Sequence, residues 1–177
     1  MRRYALLGAL PLLFALSPAL AQTHAAAARS TWTAATAAQL ESALPARAQV
    51  EKERIETEMT SASGVIDTRG RVIAAVVLIT AGYAAQGKYS HFLLLQAPIR
   101  IGTEIVLTPG TYVVGWVRAA DGLTVHLYQA ETGRERGVIL AHPQTQPLPV
   151  VPVKIWPPSE RGVIQIGRFT LPYAPLD

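Results

Sequence analysis

The 177-residue chain contains no cysteine. It therefore forms no disulfide, holds no thiolate-bound metal, offers no thiol nucleophile and takes no lipid through sulfur. Charge is sparse as well: 16% of residues are charged against 50% apolar. That apolar share excludes a disordered chain, because it can bury a core. The basic residues form no run and do not interleave with aromatics, so the stripe that a nucleic-acid partner needs is missing. Four histidines occur, His24, His91, His126 and His142, without His-x-His or His-Glu-x-x-His spacing. No metal site is expected from them. There is no Gly-x-Ser-x-Gly elbow and no phosphate-binding loop. Ser90 and His91 adjoin in an expected strand, where successive side chains point to opposite faces, so they are not expected to act as a pair. The acids gather in residues 51–58 and at turns (Asp67, Asp121, Glu131). That is the pattern of solvated faces, not of a glycosidase's paired carboxylates. The expectation is no catalytic residue, no metal and no cofactor.

What is present begins with an export signal. Arg2 and Arg3 precede an apolar stretch over residues 4–16, Ser17 and Pro18 break it, and Ala19-Leu20-Ala21 supplies the small-x-small pattern of signal peptidase. Together these read as a secretory signal peptide cleaved before Gln22. The stretch is shorter than the ~20 residues that span a bilayer, so no integral membrane protein is expected. Cleavage removes two arginines and lowers the formal charge from +4 to +2. A cysteine-free exported chain belongs in a periplasm or the extracellular medium.

Residues 22–39 hold eight alanines. Residues 22–30 read as a leader, and Thr33 as a cap for a helix over residues 34–43, with Leu40 and Leu44 four apart. Residues 50–59 fit either a helix, through Lys52/Glu56 and Arg54/Glu58, or a strand, through alternating Ile55, Thr57 and Met59. The strand is favoured, because Val65-Ile66, Asp67-Thr68-Arg69-Gly70 and residues 72–79 form a strand, a turn and a second strand. Residues 72–79 are apolar on both parities and should be covered on both faces. From residue 89 onward, short strands end repeatedly at Gly or Pro, as in an antiparallel sandwich or barrel. Residues 142–177 hold eight prolines. Proline removes a ladder donor, so the sheet core is placed before His142, with one last strand over residues 162–171. The expected organisation is a signal peptide (1–21), an Ala-rich leader with a short helix (22–48), an all-β antiparallel sandwich, or alternatively a barrel (49–171), and a tail (172–177).

The hairpin over residues 111–129 carries the candidate site. A two- or four-residue loop puts Trp116 with Leu123, Val125 and Leu127, in the core together with Tyr112, while Thr124, His126 and Tyr128 face outward. A three-residue loop puts Trp116, His126 and Tyr128 on one face suited to a sugar or peptide. The core arrangement is favoured, because Trp and Tyr carry large apolar area. Trp116, His126 and Tyr128 are the candidate ligand-binding residues, and their joint exposure would favour a binding role.

Ile99-Arg100-Ile101-Gly102, followed by Leu107-Thr108-Pro109-Gly110-Thr111-Tyr112-Val113-Val114, resembles a block in small exported bacterial β-proteins of unassigned function, over residues 72–139. The resemblance implies a secreted β-domain and carries over no catalytic residue. The expected function is a non-enzymatic binding or accessory module of the cell envelope or extracellular space, with a protein or a glycan as partner. A structural subunit without ligand, and last a small secreted hydrolase, are the alternatives.

Overall fold

The computed structural model describes residues 31–80, 88–144 and 149–176. The expected signal peptide, the leader over residues 22–30 and the loop over residues 82–87 lie outside these. Thr33–Ala34 forms the short strand β1, and Ala37–Ala43 forms the helix α1. The cap is Thr36 rather than Thr33. Its hydroxyl accepts from the Gln39 N–H while the Gln39 side chain accepts from the Thr36 N–H. This reciprocal capping box outcompetes a start at Thr33, which is drawn into strand pairing with Ile66. Leu40 and Leu44 are both buried, as their spacing predicts.

Strand β2 covers Arg47–Val50 and β3 covers Glu53–Ile66, so the ambiguous segment is a strand. The Asp67 carboxylate accepts from the Arg69 and Arg71 N–H groups and closes the turn. Strand β4, Val72–Ile79, follows and is buried along both faces. Then come β5 (His91–Leu95), β6 (Ile99–Ile101), β7 (Ile105–Leu107), β8 (Gly110–Ala119), β9 (Gly122–Gln129) and β10 (Glu135–Pro143). The chain ends with β11 (Val151–Ile155), β12 (Val163–Gly167) and β13 (Phe169–Pro175).

The strand pairings among the described residues are antiparallel, in the order β1-β3-β4-β5-β8-β9-β10-β13-β12-β11. The sheet curls until β11 returns beside β3 and β4. The all-β antiparallel expectation holds, and the sheet is nearly closed into a barrel. Two apolar layers result. The interior layer includes Val76, Leu93, Leu95, Val114, Val125, Leu127, Ile155 and Ile166. The second lies outside the barrel wall, where Leu40 of α1, Leu44 just past it, Val50 of β2 and Ile55 of β3 cover Val77, Phe92 and Val113. The two layers explain why β4 lacks alternation: both faces of that wall are dry.

The proline-rich end is the main correction. Val153, Ile155, Ile164, Ile166, Leu171 and Tyr173 belong to the interior core, so the sheet does not stop before His142. The expected single last strand is two, β12 and β13, joined through Gly167, whose φ of 58° suits glycine. Strand β13 also runs through residues 172–175, placed in the tail by sequence. Two of the prolines sit where the ladder is already interrupted. Pro152 falls at the irregularity between Val151 and Val153, and Pro172 lies just past the residues of β13 that pair with β6, its carbonyl accepting from the Gly102 N–H.

Gly115 marks a close crossing. Its missing side chain leaves room for the Lys88 carbonyl, which a Cβ would overlap, and the adjoining Ser90 N–H donates to the Val114 carbonyl at 2.8 Å. Gly115→Ala should lower stability by about 2 kcal/mol, the usual cost of overpacking. A urea unfolding midpoint identical to wild type would contradict that crossing.

Candidate functional site

The β8–β9 register decides where the sequence candidates go. Ala119 pairs with Gly122, leaving a two-residue loop, and Trp116 pairs with Val125. Trp116 therefore points inward, half-buried against the interior core, and Tyr112 is buried in that core. His126 and Tyr128 lie on the opposite face of the sheet. The structure brings His126 and Tyr128 together and keeps Trp116 apart from both. This is the favoured of the two sequence alternatives, and the joint aromatic face of the other does not form.

On the outer face, the His126 and Tyr128 rings stack with centroids 6.0 Å apart, and His126 Nδ1 lies 3.0 Å from Glu135 Oε2. Tyr89 meets Tyr128 edge-on at 5.3 Å, and Lys88 Nζ sits 4.3 Å from the centre of the Tyr128 ring. The Tyr89 hydroxyl donates to Glu51 Oε1 at 2.5 Å. Burial raises the pKa of both phenols. The Glu51 carboxylate adds to this at Tyr89 and the Glu135 carboxylate at Tyr128. Both hydroxyls stay protonated, and both rings are nearly covered. The cluster closes the outer layer rather than opening a cleft.

On the inner face, Trp116 stacks on His91 with centroids 5.2 Å apart. His91 is only 3% exposed. Ser90 precedes the first strand residue, so strand alternation does not apply to it, and its hydroxyl comes within 3.1 Å of His91 Nδ1. The expectation that these two side chains stay apart is overturned. The Ser90 hydroxyl donates its one proton to the Val114 carbonyl at 3.0 Å. Nδ1 must then carry hydrogen and donate to Ser90 Oγ, which leaves Nε2 as a bare acceptor. That is the reverse of an activated nucleophile, whose hydroxyl donates to the imidazole. Nε2 is buried without a partner, and burial lowers the pKa of His91 to about 4. The ring lines an interior cavity of about 20 Å³ among Val76, Leu93, Val114 and Ile155. This holds one water at most. The barrel interior is a packed core, not a ligand chamber.

Among the described residues, a roomier site lies at the barrel seam. Strands β3 and β11 approach each other there without forming a ladder, and the Ile155 N–H donates to Ser63 Oγ at 3.0 Å. Beside this contact runs an open groove of about 410 Å³, lined by Ala34, Ala35, Leu40, residues 60–64 of β3 and residues 151–155 of β11. Its volume falls in the range of ordinary binding sites. No known protein family, curated protein or solved structure matches the chain. The groove and its side chains are therefore the ground for a functional reading.

Strand β11 orients this site. Trp156 N–H donates to the Val163 carbonyl, so pairs spaced by two from it, including Lys154 with Gln165, are the hydrogen-bonded ones. Ile155 and Val153 then turn their N–H and C=O groups away from β12, toward the groove. Lys154 and Trp156 share the outer face, as their spacing by two requires. Lys154 Nζ lies 3.8 Å from the Trp156 ring centre, and the Arg161 guanidinium carbon lies 4.9 Å from it. The Trp156 indole N–H donates to Gln165 Oε1 at 2.8 Å, and the Gln165 amide nitrogen donates to the carbonyls of Pro149 and Gly167. This constellation is not evident from the sequence, because proline density there argues against sheet beyond His142. The signal that was available is the Lys-x-Trp spacing.

Among the described residues, no group of three or more His, Asp or Glu side chains is placed to hold a metal ion. No helix there is long and apolar enough to cross a membrane.

Proposed function

We propose that the protein is an exported, non-enzymatic binding module of the cell envelope or extracellular space, and that it takes an extended protein segment into the groove between β3 and β11. One observation carries the reading: β11 ends the strand order, and beyond the Ile155 N–H, which Ser63 takes, its outer edge faces an open groove without a ladder partner. A free edge is a template for an added strand, whose backbone supplies affinity and whose alternate side chains supply specificity. The arginine pair, apolar stretch and Ala19-Leu20-Ala21 at the start of the chain support export.

Ala34 is exposed and lines the groove, so Ala34→Trp should fill the site without entering the core. Val117, 58% exposed, is not among the groove residues, and Val117→Trp is the control. A partner should be retained by wild type and by Val117→Trp, and lost by Ala34→Trp. Equal capture by all three would overturn the groove as the binding site.

A further inference from the structure

We infer that the segment entering the seam groove is acidic, with its carboxylates seated on Lys154 and Arg161 beside the Trp156 indole. The inference rests on the groove reading above and adds the chemistry of the partner. Lys154 belongs to both features: it lines the groove and it lies over Trp156. Lys154 and Arg161 are both held against one ring, which keeps their charges within a Debye length of each other (~10 Å at 0.1 M salt). Among the described residues neither of them forms an ion pair. Two like charges held close with no carboxylate between them repel, and an anion placed there relieves both.

The platform is rigid before any partner arrives. Gln165, fully buried, fixes the indole through its N–H. The turn carrying Arg161 is closed by three N–H groups, those of Glu160, Arg161 and Gly162, all donating to the Pro157 carbonyl. The Ser159 hydroxyl donates to the Trp32 carbonyl at 2.9 Å and ties this turn to the segment entering β1. Such preorganisation lowers the ordering cost of binding.

A peptide fits better than an acidic polysaccharide because the edge is a backbone edge. Val153 turns its N–H and C=O toward the groove, next to the Ile155 N–H already engaged by Ser63. An added strand presents every second side chain to the same face. Acidic residues at alternate positions would share the outer face with Lys154, while the intervening residues would turn toward the interior side, where Val153 and Ile155 point.

The test uses the full chain, with an end-blocked alternating Glu-Val octapeptide, the matching Lys-Val octapeptide and polygalacturonate as probes, read by isothermal titration. The Glu-Val peptide should bind wild type, weaken about tenfold or more as salt rises from ~0.1 to ~0.5 M, and weaken comparably in the Lys154→Gln/Arg161→Gln double variant. The Lys154→Glu/Arg161→Glu variant should prefer the Lys-Val peptide. Both positions carry side chains outside the core, and an unchanged urea midpoint verifies that each variant is folded. Failure of the Glu-Val peptide to bind wild type, insensitivity of its binding to the double glutamine change, or tighter binding of polygalacturonate would each overturn the inference. The two readings fail separately. A captured partner lost with Ala34→Trp but retained by Lys154→Gln/Arg161→Gln overturns the acidic partner alone. A captured partner retained by Ala34→Trp overturns the groove.

Discussion

Acidification from neutral pH to about pH 4 should remove up to about 3 kcal/mol of folding stability through His91 alone. An imidazole in the unfolded chain titrates near 6.5, whereas burial holds that of the folded protein at about 4. Because the folded value is the lower one, protonation favours the unfolded chain. The contribution is whole above pH 6.5 and drains away as the pH falls from there toward 4. The cause is visible around the ring. Nδ1 is committed to Ser90 Oγ, Nε2 has no partner, and the cavity wall beside it is apolar apart from Trp116. No carboxylate lines that cavity to stabilise an imidazolium. Removing the group should remove the effect. His91→Leu keeps a side chain of similar bulk, deletes an unsatisfied buried nitrogen and should stay within about 1 kcal/mol of wild type at neutral pH. Urea unfolding of both proteins at about pH 7.5 and about pH 4.5 measures the difference. Parallel losses in wild type and His91→Leu would show that the acid sensitivity arises elsewhere.

Gln165→Ala should cost about 3 kcal/mol, from lost hydrogen bonds and a partly unfilled space. Gln165 is 0% exposed, yet all its polar atoms are used: Oε1 accepts from the Trp156 indole, and the amide nitrogen donates to Pro149 and Gly167. Truncation strands three partners at once, and an unmade buried hydrogen bond costs more than a made one contributes. The same change frees the Trp156 ring, so acidic-peptide binding should weaken although no charge has changed. Gln165→Glu gives the complementary result. A carboxylate cannot donate to the two carbonyls, so this variant should be destabilised at neutral pH and recover in part as the acid protonates. A cost below about 1 kcal/mol for Gln165→Ala would mean that this network is dispensable.

The strands before His142 were readable for a local reason. Alternating apolar residues and the turn residues between them lie within a few positions of one another, and the steric rules they obey need no distant partner. Residues 72–79, apolar on both parities, even announced their two dry faces. The hairpin was half-readable: two loop lengths left two registers, and pairing of Ala119 with Gly122 settled it. The helix cap was misplaced by three residues because Thr33 and Thr36 are alike in type, and only the reciprocal bond with Gln39 distinguishes them.

The part beyond residue 142 departs from the expectation because proline density is not absence of sheet. Proline forbids one ladder bond at one position, and whether that bond is needed depends on which strand lies alongside. Pro152 at an irregularity and Pro172 just past the end of the β6 pairing both sit where the ladder is interrupted. The Ser90–His91 contact was missed for a similar reason, since alternation was applied one residue before the strand begins.

The division is physical. Chain composition and short-range pattern were enough for an all-β domain with a helix near residue 40, because burial of alternating faces and closure of turns are decided by neighbours in sequence. Curling of the sheet, failure of β3 and β11 to ladder, burial of His91 Nε2 without a partner, and placement of Lys154, Arg161 and Trp156 beside the groove were decided by strands that meet across long sequence separation. Their meeting depends on how the whole interior packs, which no local pattern encodes.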